Sequence, residues 1–167
     1  MKLLRVKAKN FKNCRDDFEI DFVAASKKTA EDKEYELQEI ADGLYVFNTF
    51  AFVGKNASGK TTAVELLDAR YSILGDYHLE NKDYSFDNVE LLIDFYHEGY
   101  IYRYETTLKN GNSIGTKAMF TNQVISKKKY FKTKLRDIYT ADDFKKVPAD
   151  GELPEDTSEV FFVLKKR

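Results

Sequence analysis

The sequence predicts an α/β fold in which a mixed, largely antiparallel sheet surrounds one helix, and three observations carry that prediction. Apolar and charged residues alternate over residues 4–9 and again over 18–22, the period of half-exposed strands. Residues 89–96 and 100–108 read as two longer strands that turn about His97-Glu98-Gly99. Between these pairs, Val64, Leu67, Tyr71 and Leu74 recur at helical spacing directly after a glycine-rich loop.

Taken in order, Leu4, Val6 and Ala8 alternate with Arg5, Lys7 and Lys9 to give the first strand, which Asn10-Phe11-Lys12-Asn13 breaks. Phe18, Ile20 and Phe22 alternate with Glu19 and Asp21, so a second strand returns antiparallel after a loop around residues 13–17. Residues 25–43 are polar and charge-rich and read as irregular or briefly helical. Residues 45–53 return to strand, and the last of them, Phe50-Ala51-Phe52-Val53, form a buried apolar run. The helix covers roughly 60–74, with Gly75 where a C-cap falls. A polar connection spans 76–88, and in the hairpin that follows Tyr100, Tyr102 and Tyr104 share one face. Lys109-Asn110-Gly111-Asn112 is a turn, 117–125 a further strand and 140–146 a short helix. Asp156 and Glu159 have the spacing of a capping box before Val160-Phe161-Phe162-Val163-Leu164, where a final strand is the alternative. There is no internal repeat and no low-complexity stretch.

The chemistry is concentrated in Gly54-Lys55-Asn56-Ala57-Ser58-Gly59-Lys60-Thr61. This run fits the phosphate-binding pattern G-x-x-x-x-G-K-[ST] at every fixed position. Gly54 and Gly59 permit backbone angles that a Cβ penalises, so amide N–H groups can turn inward as an anion nest. Lys60 brings a mobile positive charge to the terminal phosphates, and the Thr61 hydroxyl is a ligand for Mg²⁺. A helix starting at Gly59 or Lys60 aims its positive end at the same anion. The expected nucleotide site is Gly54, Lys55, Asn56, Ala57, Ser58, Gly59, Lys60, Thr61 and Thr62, with ATP and Mg²⁺ as ligands and Thr61 as the metal contact. An apolar run before the loop and a helical period after it supply the required strand–loop–helix order.

The rest of the chain sets bounds. Its 167 residues make one domain or one large lobe. A hydrophobic fraction of 43%, with 13 Phe and 11 Tyr, excludes a disordered chain. Lys plus Arg number 27 against 28 Asp plus Glu, so there is no global basic footprint for nucleic acid. The single Cys14 excludes an internal disulfide, suits a reducing compartment and reads as a packing residue. No stretch approaches a membrane span, and the charged start Met1-Lys2-Leu3-Leu4-Arg5 is no signal peptide. The expectation is a soluble, cytoplasmic protein with no membrane partner.

Other candidate residues read more naturally as structure. Leu91-Leu92-Ile93-Asp94 has the look of a metal-binding strand end, but no Glu follows Asp94 and the run enters a hairpin. Lys127, Lys128, Lys129, Lys132, Lys134 and Arg136 interleave with Tyr130 and Phe131, which is either a nucleic-acid contact or a solvated segment. His78 and His97 lack neighbours at metal-ligand spacing, and Gln123, a candidate for sensing Mg²⁺ and nucleotide, lies in a stretch without a clear element. Two rival functions stay open. One is a self-contained kinase or GTPase, for which only Arg70, Arg103 and Arg136 are available as lid arginines and no Asn-Lys-x-Asp reader occurs; Asn81-Lys82-Asp83 lacks the spacer residue. The other is a non-catalytic interaction or nucleic-acid-binding module.

The loop Gly54-Lys55-Asn56-Ala57-Ser58-Gly59-Lys60-Thr61-Thr62, the opening Leu4-Arg5-Val6-Lys7-Ala8-Lys9-Asn10-Phe11-Lys12 and the returning Phe18-Glu19-Ile20-Asp21-Phe22 together resemble one branch of ATPases. These are the ABC-type heads of the RecF, structural-maintenance-of-chromosomes and OLD-like families, and within them the AAA family ATPases of the AAA15/AAA21 type. The likeness is specific over residues 1–75 and looser beyond. It implies an ABC-ATPase-like N-terminal lobe spanning 1–167, with strands, loop and first helix in 1–75 and a β-hairpin layer in 76–167. It implies that Gly54 to Thr62 bind ATP, that Asn10 to Lys12 lie near the nucleotide, and that heads hydrolyse ATP as dimers. It also implies association with DNA, or with a nuclease partner in phage defence. The chain departs from the pattern in three respects: no hydrophobic strand ending in Asp-Glu, no Leu-Ser-Gly-Gly-like signature and no switch histidine occurs. It therefore resembles the first lobe of a longer head, with no catalytic residue of its own and efficient hydrolysis dependent on a C-terminal lobe and a second head.

Overall fold

Alternation builds the sheet as expected. In the computed structural model, which describes residues 1–25, 29, 36–56, 58–82, 85–113 and 115–165, β1 (Lys2–Lys9) pairs antiparallel with β2 (Phe18–Asp21). The chain reverses between them through Asn10 and Lys12, both at positive φ (59° and 51°). On its other side β1 pairs with β5 (Val89–His97), which turns through Glu98 (φ 47°) and Gly99 (φ 86°) into β6 (Tyr100–Lys109). Two central residues at positive φ make the turn that matches strand twist, and Gly99 meets that demand without a Cβ penalty. Then follow β7 (Met119–Lys129) and the two-residue β8 (Lys145–Lys146), for a sheet order β2-β1-β5-β6-β7-β8. Every strand pairing among the described residues is antiparallel. The α/β expectation holds in its coarse form.

Helix α1 (Lys60–Gly75) lies on one face of this sheet. Ala63, Leu66, Ala69, Ile73 and Leu74 pack with Val6, Ala8, Ile93, Phe95, Tyr102 and Tyr104. Each large apolar side chain so enclosed contributes about 1.5–3 kcal/mol. The short α2 (Val160–Leu164) seats Val160 in the same core. The opposite face carries a separate ribbon, β3 (Leu37–Ala41) with β4 (Leu44–Phe47), and two 3₁₀ turns at Lys132–Asp137 and Ala141–Asp143. Leu44, Val46 and Ile138 close over Leu4 and Ile101 there.

A buried ion network crosses that second face. Asp94 is 0% exposed and receives Arg5 Nε at 2.9 Å and Nη2 at 2.7 Å, and Arg103 Nε at 2.8 Å. Arg103 also donates to the Tyr139 carbonyl at 3.0 Å, and the Arg5 guanidinium lies 3.7 Å from the centre of the Tyr139 ring. The Tyr139 hydroxyl donates to Asp21 at 2.8 Å, and burial with that carboxylate pushes its own pKa far up.

Several expectations need correction. The strand foreseen over 45–53 stops at Phe47, and Phe50-Ala51-Phe52-Val53 lies outside any sheet, with Phe50, Ala51 and Val53 exposed rather than buried. A strand is held by its neighbours, and no described segment lies in ladder register beside it. The helix presents a different stripe from the one foreseen: Val64 is 54% and Tyr71 68% exposed, while Ala63, Leu66 and Ala69 face the sheet. Gly75 is the last residue of α1 rather than its left-handed cap; Asp76 caps it, and the left-handed residue is Tyr77 (φ 63°). Residues 37–41, foreseen as irregular or helical, form β3, and most of the preceding stretch lies outside the described residues. In place of a helix over 140–146 there is one 3₁₀ turn followed by β8. The segment from Val160 is helical, but its capping box does not form: Glu159 makes no side-chain cap, and the Val160 amide donates to Ser158 Oγ at 3.3 Å.

Candidate functional site

The phosphate loop folds as its glycines dictate. Gly59 sits at φ 88°, ψ 8° as the N-cap of α1, a left-handed position that an L side chain resists. Gly54 comes so close to Ser58 that a Cβ would stand 2.5 Å from its Oγ. The Ser58 amide donates to the Lys55 carbonyl at 3.2 Å, and Ala63 N–H to the Gly59 carbonyl at 3.0 Å opens the helix. Gly59→Ala should cost about 1 kcal/mol in a urea melt, the left-handed penalty, and weaken ATP binding by distorting the helix start. An unchanged melt and affinity would mean that this φ is not required.

Lys60 curls back over the loop. Its ammonium donates to the Gly54 and Lys55 carbonyls, both at 2.7 Å, and lies 3.4 Å from Ser58 Oγ. The charge is therefore held on the loop, next to a helix N-terminus with no side-chain cap and no acidic residue in its first turn. The leading N–H groups of any helix lack an intrahelical acceptor, and they face an anion favourably. Thr61 is exposed one residue further on.

A cavity of about 820 Å³ opens beside the loop. Asn56, Ser58, Gly59, Lys60, Thr61 and Thr62 line one wall. The β1–β2 connection lines the other, with Lys12, Asn13, Cys14, Arg15 and Phe18. The size is that of a small-molecule site, and no carboxylate lines it among the described residues. Lys12 is ion-paired to Glu65 of α1, and Arg15 to Asp17. A second space of about 410 Å³ separates β2 from residues 50–53 and shares Ser58, Gly59 and Lys60 with the first. These residues fit a nucleoside polyphosphate: glycine where the backbone must approach closely, a mobile ammonium, an open helix start and an exposed hydroxyl. No cluster of three metal-binding side chains exists among the described residues. A Mg²⁺ ion would therefore rest on Thr61 and on the phosphates themselves, and there it would offset phosphate charge.

The expected site residues thus come together, with Gly54 and Lys55 acting through their carbonyls on Lys60; Ala57 lies outside the described residues. Of the stretch 10–12, only Lys12 lines the cavity. The Asn10 amide donates to the Asn88 carbonyl and Phe11 is core. Sequence reasoning missed Asn13, Arg15 and Phe18 as cavity residues, and a signal for them existed: the hairpin turn after Lys12 carries its polar residues to the end of the sheet nearest the loop. Cys14 also lines the cavity, with its thiol pushed up by burial, as befits packing. Asp94 is taken up by Arg5 and Arg103, as a structural reading requires. Gln123 accepts from Tyr104 Oη at 2.6 Å and from the Glu159 amide at 2.8 Å, tying the sheet to the start of α2, and lines neither cavity. His78 donates through Nδ1 to the Asp156 carbonyl at 2.7 Å, and burial lowers the pKa of His97 beside the hairpin turn.

No helix among the described residues is long and apolar enough to cross a membrane. The family model described as "AAA domain, putative AbiEii toxin, Type IV TA system" matches residues 50–158, which is 109 of the 167 residues. No curated protein and no solved structure gives a significant match. The match begins just before the phosphate loop and runs through α1 and the β5–β7 layer to the segment that precedes α2. With more than half of its length covered and the loop geometry in place, the chain belongs to this AAA domain family and so to the nucleotide-binding P-loop ATPases.

Proposed function

We propose that the chain binds Mg-ATP through residues 54–62 as the N-terminal part of an ABC-type ATPase head, and that efficient hydrolysis needs a C-terminal lobe and a second head. The observation that carries the reading is the Lys60 ammonium held by the Gly54 and Lys55 carbonyls at the open start of α1. In this reading the 54–60 backbone cradles phosphate, Lys60 offsets β- and γ-phosphate charge, and Thr61 touches the metal. Residues 1–167 form one partial head, with 1–75 as loop-bearing half and 76–167 as β-layer.

Two further observations support an incomplete head. Among the described residues no carboxylate lines the larger cavity, where it could hold the metal or activate water; Glu19 and Asp21 line only the adjoining space. Of seven exposed large hydrophobic side chains among the described residues, five (Phe47, Phe50, Val53, Val64 and Tyr71) flank the loop in sequence, with Val53 91% exposed. Phe47 and Phe50 pack edge to face, and exposed apolar groups that cluster mark a surface built for a neighbour. Residues 50–53, apolar and outside the sheet, add to that uncovered surface. The resemblance to RecF-like heads adds a role on DNA, or beside a nuclease in phage defence, in the cytoplasm.

Titration of the purified chain with ATP, with and without Mg²⁺, tests this when phosphate release is followed in the same samples. Binding without turnover is expected. Sustained turnover would overturn the incomplete head in favour of a self-contained kinase or GTPase, and absence of binding would leave the interaction-module reading.

A further inference from the structure

The outer edge of the sheet gathers positive charge without neutralising it. Lys127 of β7 and Lys145 of β8 are register partners, and Lys129 follows two residues along β7 on the same side as Lys127. Adjacent strands lie about 4.8 Å apart and alternate residues about 6.6 Å apart, so three ammonium-bearing chains leave the sheet within a few ångströms of one another. Like charges placed directly opposite destabilise a strand pair.

Elsewhere this chain neutralises such lysines: Lys7 meets Glu19, Lys9 meets Glu90 and Lys132 meets Asp42. Among the described residues no carboxylate pairs with Lys127, Lys129, Lys145 or Lys146. Glu159 feels the charge of Lys146 without forming a pair with it. What these lysines meet instead is aromatic. Lys127 Nζ lies 4.9 Å from the Tyr100 ring centre and 5.9 Å from that of Tyr102, and Lys129 Nζ lies 5.7 Å from that of Phe131. Phe131 is itself 50% exposed.

We propose that the β7–β8 edge binds single-stranded nucleic acid, with Lys127, Lys129 and Lys145 on successive phosphates and Phe131 as a platform for an unstacked base. Cations spaced along an edge with an exposed ring beside them are the two parts of a sequence-tolerant single-strand site. A duplex offers the phosphates but no free base, and a membrane surface would call for more inserted apolar groups than the one ring. This goes beyond nucleotide binding and does not depend on it.

The test is fluorescence anisotropy of a labelled oligothymidylate against the 167-residue chain, between about 50 and 200 mM salt. Binding should weaken linearly in log–log form. In the double variant Lys127→Gln/Lys145→Gln the salt slope should shrink by about 1.4, since each neutralised phosphate on a single strand counts for about 0.7. Phe131→Ala should weaken binding by about tenfold with the slope unchanged. Lys132→Gln, which removes a lysine already paired with Asp42, should change little. Lys60→Ala should leave oligonucleotide binding intact, so loss of the ATP reading and loss of this one are distinguishable. No binding at the lowest salt, or identical binding by the double variant, would overturn the proposal and leave the lysines as a guard against strand pairing at an exposed edge. Equal affinity for a duplex would remove the stacking role, and binding to phosphatidylcholine–phosphatidylserine vesicles without binding to oligonucleotide would reassign the edge to a membrane surface.

Discussion

Replacing Lys60 with alanine should lower ATP affinity by about a hundredfold or more while leaving the melting of the chain unchanged. The two halves of this expectation come from different contacts. In the structure the ammonium touches two loop carbonyls on a partly exposed segment, and its three hydrogen-bond contacts are local to residues 54–58. The helix it belongs to is held by Ala63, Leu66, Ala69, Ile73 and Leu74, none of which depends on Lys60. With nucleotide bound, the same ammonium can face phosphate oxygens, and charge-assisted contacts of that kind are worth about 1.5–3 kcal/mol each. Two such contacts correspond to at least about a hundredfold in affinity. Calorimetric titration with ATP, paired with a thermal melt, reads both halves. Undiminished affinity would remove the loop as the phosphate site, and a lowered melting point would show that Lys60 holds the loop for stability.

The phosphate loop and the hairpins were legible because their signals are local. Gly59 and Lys60 have the same meaning in any context that places a strand before them and a helix after them, and the β5–β6 turn is written in Glu98-Gly99. What sequence could not settle is which of two apolar stripes on α1 the sheet would take. Val64, Leu67 and Tyr71 form one stripe; Ala63, Leu66, Ala69 and Ile73 form another, about a third of a turn away, and of the foreseen residues Leu74 is buried with the second. Periodicity weighs side-chain size, so it favoured the bulky stripe. The sheet took the one with two alanines, which lets the helix backbone approach closely. A helix apolar on more than one side is normally enclosed on more than one side. The exposed Val64 and Tyr71 belong to the stripe that the sheet leaves uncovered. For the same reason the run 50–53 is apolar, as its composition says, yet neither paired nor largely buried: composition reports what a segment can join, and the partner decides whether it does. The cavity wall from Asn13, Arg15 and Phe18 has only half a signal in the sequence: the polar turn after Lys12 is local, but where its tip lands is a long-range fact.

Asp94 gives the sharpest test of where chemistry ends and architecture begins. Asp94→Ala should destabilise the chain by about 3–5 kcal/mol, because it leaves the Arg5 and Arg103 guanidiniums enclosed without their carboxylate. That is a large part of the roughly 5–15 kcal/mol typical of a domain, and it corresponds to about 2 M in the urea midpoint at an ordinary slope. The cost is not the strength of the attraction. Desolvating three charges consumes most of what their pairing returns, so a triple replacement of Arg5 and Arg103 by Met and Asp94 by Leu should recover most of the stability that the single change loses. A metal-binding role predicts the opposite pattern. There, Asp94→Ala would melt like the parent chain but lose the Mg²⁺ dependence of ATP binding. Urea denaturation of the single and triple variants, with ATP titrations at low urea with and without Mg²⁺, separates the two. A single-variant loss below about 1 kcal/mol would fall in the range of an exposed pair, and the enclosed network would then carry no weight in the fold.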